Sequence, residues 1–117
     1  LDTYGWLLYK MGDFAGAEVW LSRANRVRGG DDPVIHDHLG DANWRMGRRT
    51  EAIENWKKAA ELIHARRKGE FTSDDERRVR DATPKKIEDA VAGMEPGVAS
   101  LATPQVNGKT DRPAESN

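Results

Sequence analysis

The sequence of 117 residues contains no cysteine and no long apolar run. The absence of cysteine excludes disulfide bonds and thiolate metal sites, although it does not fix the cellular compartment. A transmembrane helix needs about 18 or more consecutive apolar residues, and no stretch of the chain approaches that length. The formal net charge is −1, so no global electrostatic field favours nucleic acid or a membrane surface.

The chain also lacks the short motifs that are typical of enzymes. It has no Gly-rich dinucleotide or phosphate loop, no nucleophile elbow and no HExxH pair. His36 and His38 are two positions apart, so on a helix they point to different faces and make a poor metal-binding pair. The acidic pairs Asp31-Asp32 and Asp74-Asp75 stand at predicted helix starts, where capping explains them. We therefore predict no catalytic residue, no metal ligand and no cofactor, and a protein that is not an enzyme.

What the sequence does contain is an internal repeat in its first half. When Gly5 is aligned with Gly40, matched residue types recur at an offset of about 35 residues, a period typical of stacked helical repeats. Self-similarity at so many positions predicts two copies of one helix–turn–helix unit. The matched pairs are Tyr9 and Trp44, Met11 and Met46, Gly12 and Gly47, Ala17 and Ala52, Leu21 and Trp56, Ala24 and Ala59, and Val27 and Leu62.

The spacing of Leu39-Gly40, Ala52, Trp56 and Ala59 resembles the signature of the tetratricopeptide repeat (TPR) family, a helix pair of about 34 residues. The first copy matches through Gly5, Ala17, Leu21 and Ala24. The departures are Leu8 and Asn43, which stand where the family usually has an aromatic residue, and Gly29-Gly30, which replaces the usual proline and adds one residue.

The resemblance implies an all-α fold of stacked helical hairpins with a C-terminal capping helix. We predict helices over residues 2–11, 14–28, 33–46 and 49–67. The chain enters the first helix without a cap, and such arrays usually need about three units, so we expect the C-terminal portion of a larger TPR protein. The predicted units are residues 1–31 (repeat 1, truncated at its start), 32–68 (repeat 2), 69–96 (a cap region with one or two short helices) and 97–117 (a flexible, disordered tail).

Periodicity also predicts which face of the first helix is buried. Tyr4, Leu7, Leu8 and Met11 recur at helical spacing and should form its buried stripe.

In the cap region, two helix starts are visible. Ser73 opens a capping box before a short polar helix. Thr83 then caps a last helix with Pro84 in its first position. Ile87, Val91 and Met94 of that helix lie on one face and should cover the fourth helix.

The TPR resemblance also implies a binding surface, because the first helix of each pair lines a concave groove that meets a peptide. Trp6, Tyr9 and Trp44 are large rings of the kind that dominate interfaces, although they could simply pack against the neighbouring helix. The residues Asp2, Trp6 and His38 do not fit the carboxylate clamp of chaperone-binding TPRs. We call the predicted surface the groove; its residues are Asp2, Trp6, Tyr9, Lys10, Asp37, His38, Asp41, Trp44 and Arg45.

The sequence thus favours a non-catalytic protein–protein interaction scaffold that binds a protein or peptide in the groove. Self-association through the first helix is a further expectation, because cutting an array exposes apolar surface. The alternative is binding of nucleic acid or an anionic surface by the turn at 45–49 and the basic face of the fourth helix. Interleaved glutamates and the lack of exposed aromatic residues make nucleic acid the less favoured partner. The basic residues concerned are Arg45, Arg48, Arg49, Lys57, Lys58, Arg66, Arg67 and Lys68.

Overall fold

Five α-helices make up the part of the chain that the computed structural model describes, residues 2–66 and 73–102. These residues contain no β-strand, which confirms the all-α prediction. The predicted end of the fourth helix at 67, the first residues of the cap region at 69–72, and residues 103–117 of the predicted tail lie outside the described residues. The helices are α1 (Asp2–Lys10), α2 (Phe14–Val27), α3 (Pro33–Arg45), α4 (Arg49–His64) and α5 (Asp74–Val91).

The helices are connected by short turns with recognisable signals. Gly12 and Gly47 follow α1 and α3 with φ of 89° and 77°, a conformation that glycine adopts at no steric cost. The side chain of Asp13 accepts a hydrogen bond from the Gly16 amide at 2.9 Å and caps α2. Asp32 accepts from the amide of Val34 at 2.9 Å and caps α3 in the same way. The helices α1 and α2, and α3 and α4, therefore form two hairpins.

A glycine lies at the crossing point of each hairpin. A Cβ at Gly5 would lie 2.8 Å from Cγ of Leu21, and a Cβ at Gly40 would collide with the indole of Trp56. Leu21 and Trp56 each follow their glycine by the same distance in sequence. The two hairpins therefore use the same close helix–helix contact, which only glycine permits at this separation.

The face of α1 that we predicted to be buried is mostly exposed. Tyr4, Leu7 and Met11 are 48%, 53% and 69% exposed, whereas Gly5 and Tyr9 are buried. α1 packs against α2, with a smaller contact to α3, and no described element covers its opposite side. Periodicity finds the apolar positions of a helix but does not say which neighbour is present, and this part of the prediction was wrong for that reason.

The C-terminal helix α5 is one continuous helix of 18 residues, not two short ones. Ser73 caps it as predicted by accepting from the Glu76 amide at 3.1 Å. Pro84 lies inside the helix, and Thr83 is buried rather than acting as a cap. A proline in a helix costs about 3 kcal/mol, and the burial of Val79, Thr83 and Ala90 on both sides of it offsets that cost.

The core consists of three groups of apolar side chains. One lies around Tyr9 and Leu39 between α1, α2 and α3. The second surrounds Trp56, and the third surrounds Ile63; both lie where α5 covers α4. Of the stripe predicted to cover α4, Ile87 packs there, whereas Val91 and Met94 are exposed. No described helix has the length and apolar character needed to span a bilayer.

Candidate functional site

The predicted groove lies along α1 and α3. The rings of Trp6, Tyr9 and His38 form a stack, while Trp44 lies against Trp56 of α4. The Trp6 ring lies 3.6 Å from the His38 ring and 4.5 Å from the Tyr9 ring, and both pairs are nearly parallel. Tyr9 is fully buried, while Trp6 and Trp44 are half-buried. The rings therefore pack against neighbouring elements, as the alternative interpretation of the sequence allowed. Asp2 begins α1, but its side chain is outside the described part of the structure.

The groove is covered by a C-terminal segment of the same chain, residues 95–102, which we call the strap. This segment follows α5 and is not helical. The backbone of Ala99 is held on both sides, because its amide donates to Oδ2 of Asp41 at 3.0 Å and its carbonyl accepts from the Tyr9 hydroxyl at 2.7 Å. Arg45 Nη2 donates to the same carbonyl at 2.8 Å. Residues 97–102 are therefore not the disordered tail that composition predicted.

Both ends of the strap are also attached. Nε1 of Trp44 donates to the Glu95 carboxylate at 3.2 Å. Lys10 Nζ donates to the Ser100 carbonyl at 3.0 Å, and the Ala102 amide donates to the Lys10 carbonyl at 2.9 Å. The strap thus crosses from α3 to the C-terminal end of α1.

The apolar side chains of the strap add packing to these hydrogen bonds. Pro96 is buried. Val98 packs against the group around Trp56, and Ala99 packs against the group around Tyr9. Four of these hydrogen bonds join groove side chains to backbone atoms of the strap, so they do not depend on the strap's side chains.

A buried charged cluster lies beneath the strap. Lys86 Nζ of α5 donates to Oδ1 of Asp41 at 2.8 Å and to Oδ1 of Asp37 at 3.0 Å. Trp56 Nε1 donates to Asp41 at 3.0 Å, and the Thr83 hydroxyl donates to Asp37 at 2.6 Å. All of these side chains are buried. The cluster fixes α5 and the strap to α3.

Two carboxylates share one ammonium in this cluster, and Asp41 and Lys86 have shifted pKa values. Burial and the neighbouring Asp37 raise the pKa of Asp41, while Lys86 opposes this rise. Burial by itself would lower the pKa of Lys86, but Asp37 and Asp41 outweigh it and leave this pKa above its usual value. Lys86 is therefore charged at neutral pH.

Two further groups of the groove have shifted pKa values. Burial lowers the pKa of His38 from its usual 6.5 to about 4, although Asp37 opposes the change. His38 is therefore neutral at pH 7, and its Nδ1 has no hydrogen-bond partner among the described residues. Burial also raises the pKa of Tyr9, against the effect of its hydrogen bond from Arg45.

Sequence reasoning missed Lys86 and the strap. Lys86 lies on the same face of α5 as the buried residues Val79, Thr83 and Ala90. A lysine among apolar positions at helical spacing is a signal for a buried ion pair, and it could have been found. The strap has no periodicity, so its position depends on contacts distant in sequence.

The basic residues of the alternative function are partly engaged within the chain. Arg48 pairs with Glu18 at 2.7 Å, and Arg66 pairs with Glu76 at 3.0 Å. Arg49 donates to the Ala90 carbonyl and lies over the Trp44 ring. Lys57 and Lys58 are exposed, whereas Arg67 and Lys68 lie outside the described residues. Anion binding by this face stays a prediction.

Comparison with known proteins adds no relative. A scan of protein-family models, a search of curated proteins and a search of solved structures each return no match for this chain.

Proposed function

We propose that this chain is a TPR-like, non-catalytic interaction module that binds an extended segment of a partner protein in the groove. The repeat part of the proposal is supported by the two matched glycine contacts, Gly5 with Leu21 and Gly40 with Trp56. The position of α5 supports it as well. Of the two helices that precede it, α5 packs more on α4 than on α3, just as α3 packs more on α2 than on α1.

One observation carries the binding part of the proposal. Side chains of Tyr9, Asp41 and Arg45 hold both the amide and the carbonyl of Ala99 in a non-helical backbone segment. Main-chain hydrogen bonds of this kind give affinity for an extended peptide, while side-chain pockets give specificity. The strap therefore serves as an internal model of the extended peptide that we propose as the ligand.

A partner segment must compete with the strap for the same groups. A covalently tethered segment has an effective concentration in the millimolar range when its linker is short. Only three residues, 92–94, separate α5 from the strap. Loosening the strap should therefore strengthen the binding of a partner peptide in the groove.

The test uses peptides selected from a random display library on the full chain. Each selected peptide is then titrated against the wild type and against Val98→Asp, which places a carboxylate on the apolar group around Trp56. We expect binding at least tenfold tighter to Val98→Asp. Val91→Asp is the matched control, because Val91 is exposed on α5 outside the strap.

Amide exchange locates the site independently. Binding in the groove should speed the exchange of the Ala99 and Ala102 amides, since the strap is displaced. Peptides that bind all three chains equally and leave these amides unchanged would place the site elsewhere and overturn the proposal.

A further inference from the structure

The strap leaves part of the groove unfilled. A cavity of about 110 Å³ lies beside it, between the groove and α5. A cavity of this size is large enough for ordered water or for the end of a side chain. Its walls include Trp6, His38 and Asp41 of the groove, Lys86 of α5, and Gly97 and Ala99 of the strap.

His38 has a buried ring nitrogen, Nδ1, to which the strap makes no hydrogen bond. The residue is only 8% exposed, its ring stacks on Trp6, and it lines the cavity. Its Nδ1 has no hydrogen-bond partner among the described residues. Buried polar atoms are nearly always paired in folded proteins, so an occupant that reached this nitrogen would gain a hydrogen bond that the strap does not make.

Position 99 is the place from which a ligand side chain can enter the cavity. The backbone there is fixed by Asp41, Tyr9 and Arg45. Ala99 borders the cavity, whereas Val98 packs on the separate apolar group around Trp56. Ala99 is thus the strap residue at which a fixed backbone meets the wall of the cavity.

The walls of the cavity select the chemistry of that side chain. Both cations that line the cavity are already paired, Lys86 with Asp37 and Asp41 and Arg78 with Asp75, so a carboxylate would add a charge without a counter-charge of its own. A hydroxyl or an amide is neutral, and it can donate to or accept from His38 in either tautomer. Serine, threonine and asparagine meet these conditions at a size that suits the volume.

Resting on the proposed function, we propose that the partner segment carries serine, threonine or asparagine where the strap has Ala99, preceded by an apolar residue where the strap has Val98. This side chain fills the cavity and pairs with His38. The strap is then an incomplete occupant of the groove, and a better-matched segment displaces it.

The first test changes the strap within the full chain. Ala99→Thr should slow amide exchange at residues 99 and 102 at least fivefold. Ala99→Val has the same shape without the hydroxyl, so it should slow exchange less. This measurement does not depend on any loosened variant being folded.

The second test measures peptide binding to the Val98→Asp chain. The probes are capped synthetic peptides of residues 95–102, in the native form and with Ala99→Thr or Ala99→Val. We expect the threonine peptide to bind at least fivefold tighter than either of the others. His38→Phe keeps a ring against Trp6 but removes the nitrogen, so the preference for threonine over valine should disappear in that background.

The outcomes separate the two proposals. If the native and threonine peptides bind equally, or if the preference for threonine survives His38→Phe, this inference is overturned while groove binding stands. If none of the three peptides binds although exchange shows that residues 97–102 are released, both proposals fail.

Discussion

Lys86 Nζ lies 2.8 Å from Oδ1 of Asp41, although the two residues are 45 positions apart in the chain. The same carboxylate accepts hydrogen bonds from Trp56 of α4 and from the amide of Ala99 in the strap. One side chain of α3 is therefore bonded to α4, α5 and the strap. Because Asp41 is 1% exposed, each of these bonds is shielded from water.

Lys86→Met should destabilise the fold strongly. It leaves Asp37 and Asp41 buried without a counter-charge, and breaking a buried pair in this way costs about 3–5 kcal/mol. Lys85→Met is the control, because Lys85 is 70% exposed and its partner Asp89 is 12% exposed, so the change touches one largely buried carboxylate instead of two and should cost less. Urea unfolding of both variants measures the difference. Equal losses would mean that the buried cluster does not stabilise the protein.

His38 should make the stability depend on pH between 6.5 and about 4. The folded-state pKa of His38 is lowered to about 4, so in this range the unfolded chain binds a proton that the folded chain does not. Stability therefore falls as the pH drops from 6.5 to about 4 and changes no further below that through this group. The shift corresponds to a loss of up to about 3 kcal/mol.

The measurement is urea unfolding at a series of pH values, with the wild type beside His38→Phe. The variant lacks the titrating group, so its curve should be flatter over this interval by the same amount. Identical slopes for the two proteins would show that His38 is not held neutral by burial.

The turns and caps made the helices of the two hairpins predictable. Gly12, Gly47, Asp13 and Asp32 act locally, and a pattern of local signals can be read from one sequence. Every groove residue whose side chain is described lies on α1 or α3, as the predicted helix bounds require. These features depend on contacts within a few residues or on a repeated helix pair.

What could not be predicted depends on distant partners. Thr83 and Pro84 have strong local signals for a helix start, but packing of α5 on α3 and α4 overrides them. The covering of the groove by the strap is decided by bonds such as that between Ala99 and Asp41, 58 positions apart. No periodicity or composition encodes such a contact, and a segment rich in small residues looks disordered without it.

Two leucine substitutions, one on the exposed face of α1 and one in the core, should differ strongly in their effect on stability. Leu39→Ala removes a side chain that is 6% exposed and should cost about 2–5 kcal/mol, because it leaves a cavity in the core. Leu7→Ala removes one that is 53% exposed and should cost less than about 1 kcal/mol. A large loss of stability in Leu7→Ala would contradict the exposure of this face.

The same face of α1 is where we expect self-association. The Leu7→Lys variant should therefore associate less than the wild type, and sedimentation velocity measures the difference.

Tyr9→Phe should release the strap without unfolding the hairpins. The hydroxyl donates to the Ala99 carbonyl at 2.7 Å and also accepts from Arg45 Nε at 3.1 Å. Its removal costs about 1 kcal/mol, which corresponds to roughly fivefold faster opening. We therefore expect hydrogen exchange of the Ala99 and Ala102 amides to accelerate by about that factor.

Two controls, one amide and one variant, distinguish release of the strap from destabilisation of the whole fold. The Met94 amide bonds to the Asp89 carbonyl at the end of α5 at 2.8 Å, and its exchange should not change. Tyr4→Phe removes a hydroxyl from a half-exposed ring on the opposite face of α1 and should leave the strap amides unaffected. Acceleration of all amides together would mean that the strap opens only with the whole fold, and the groove would then be closed to any partner while the protein is native.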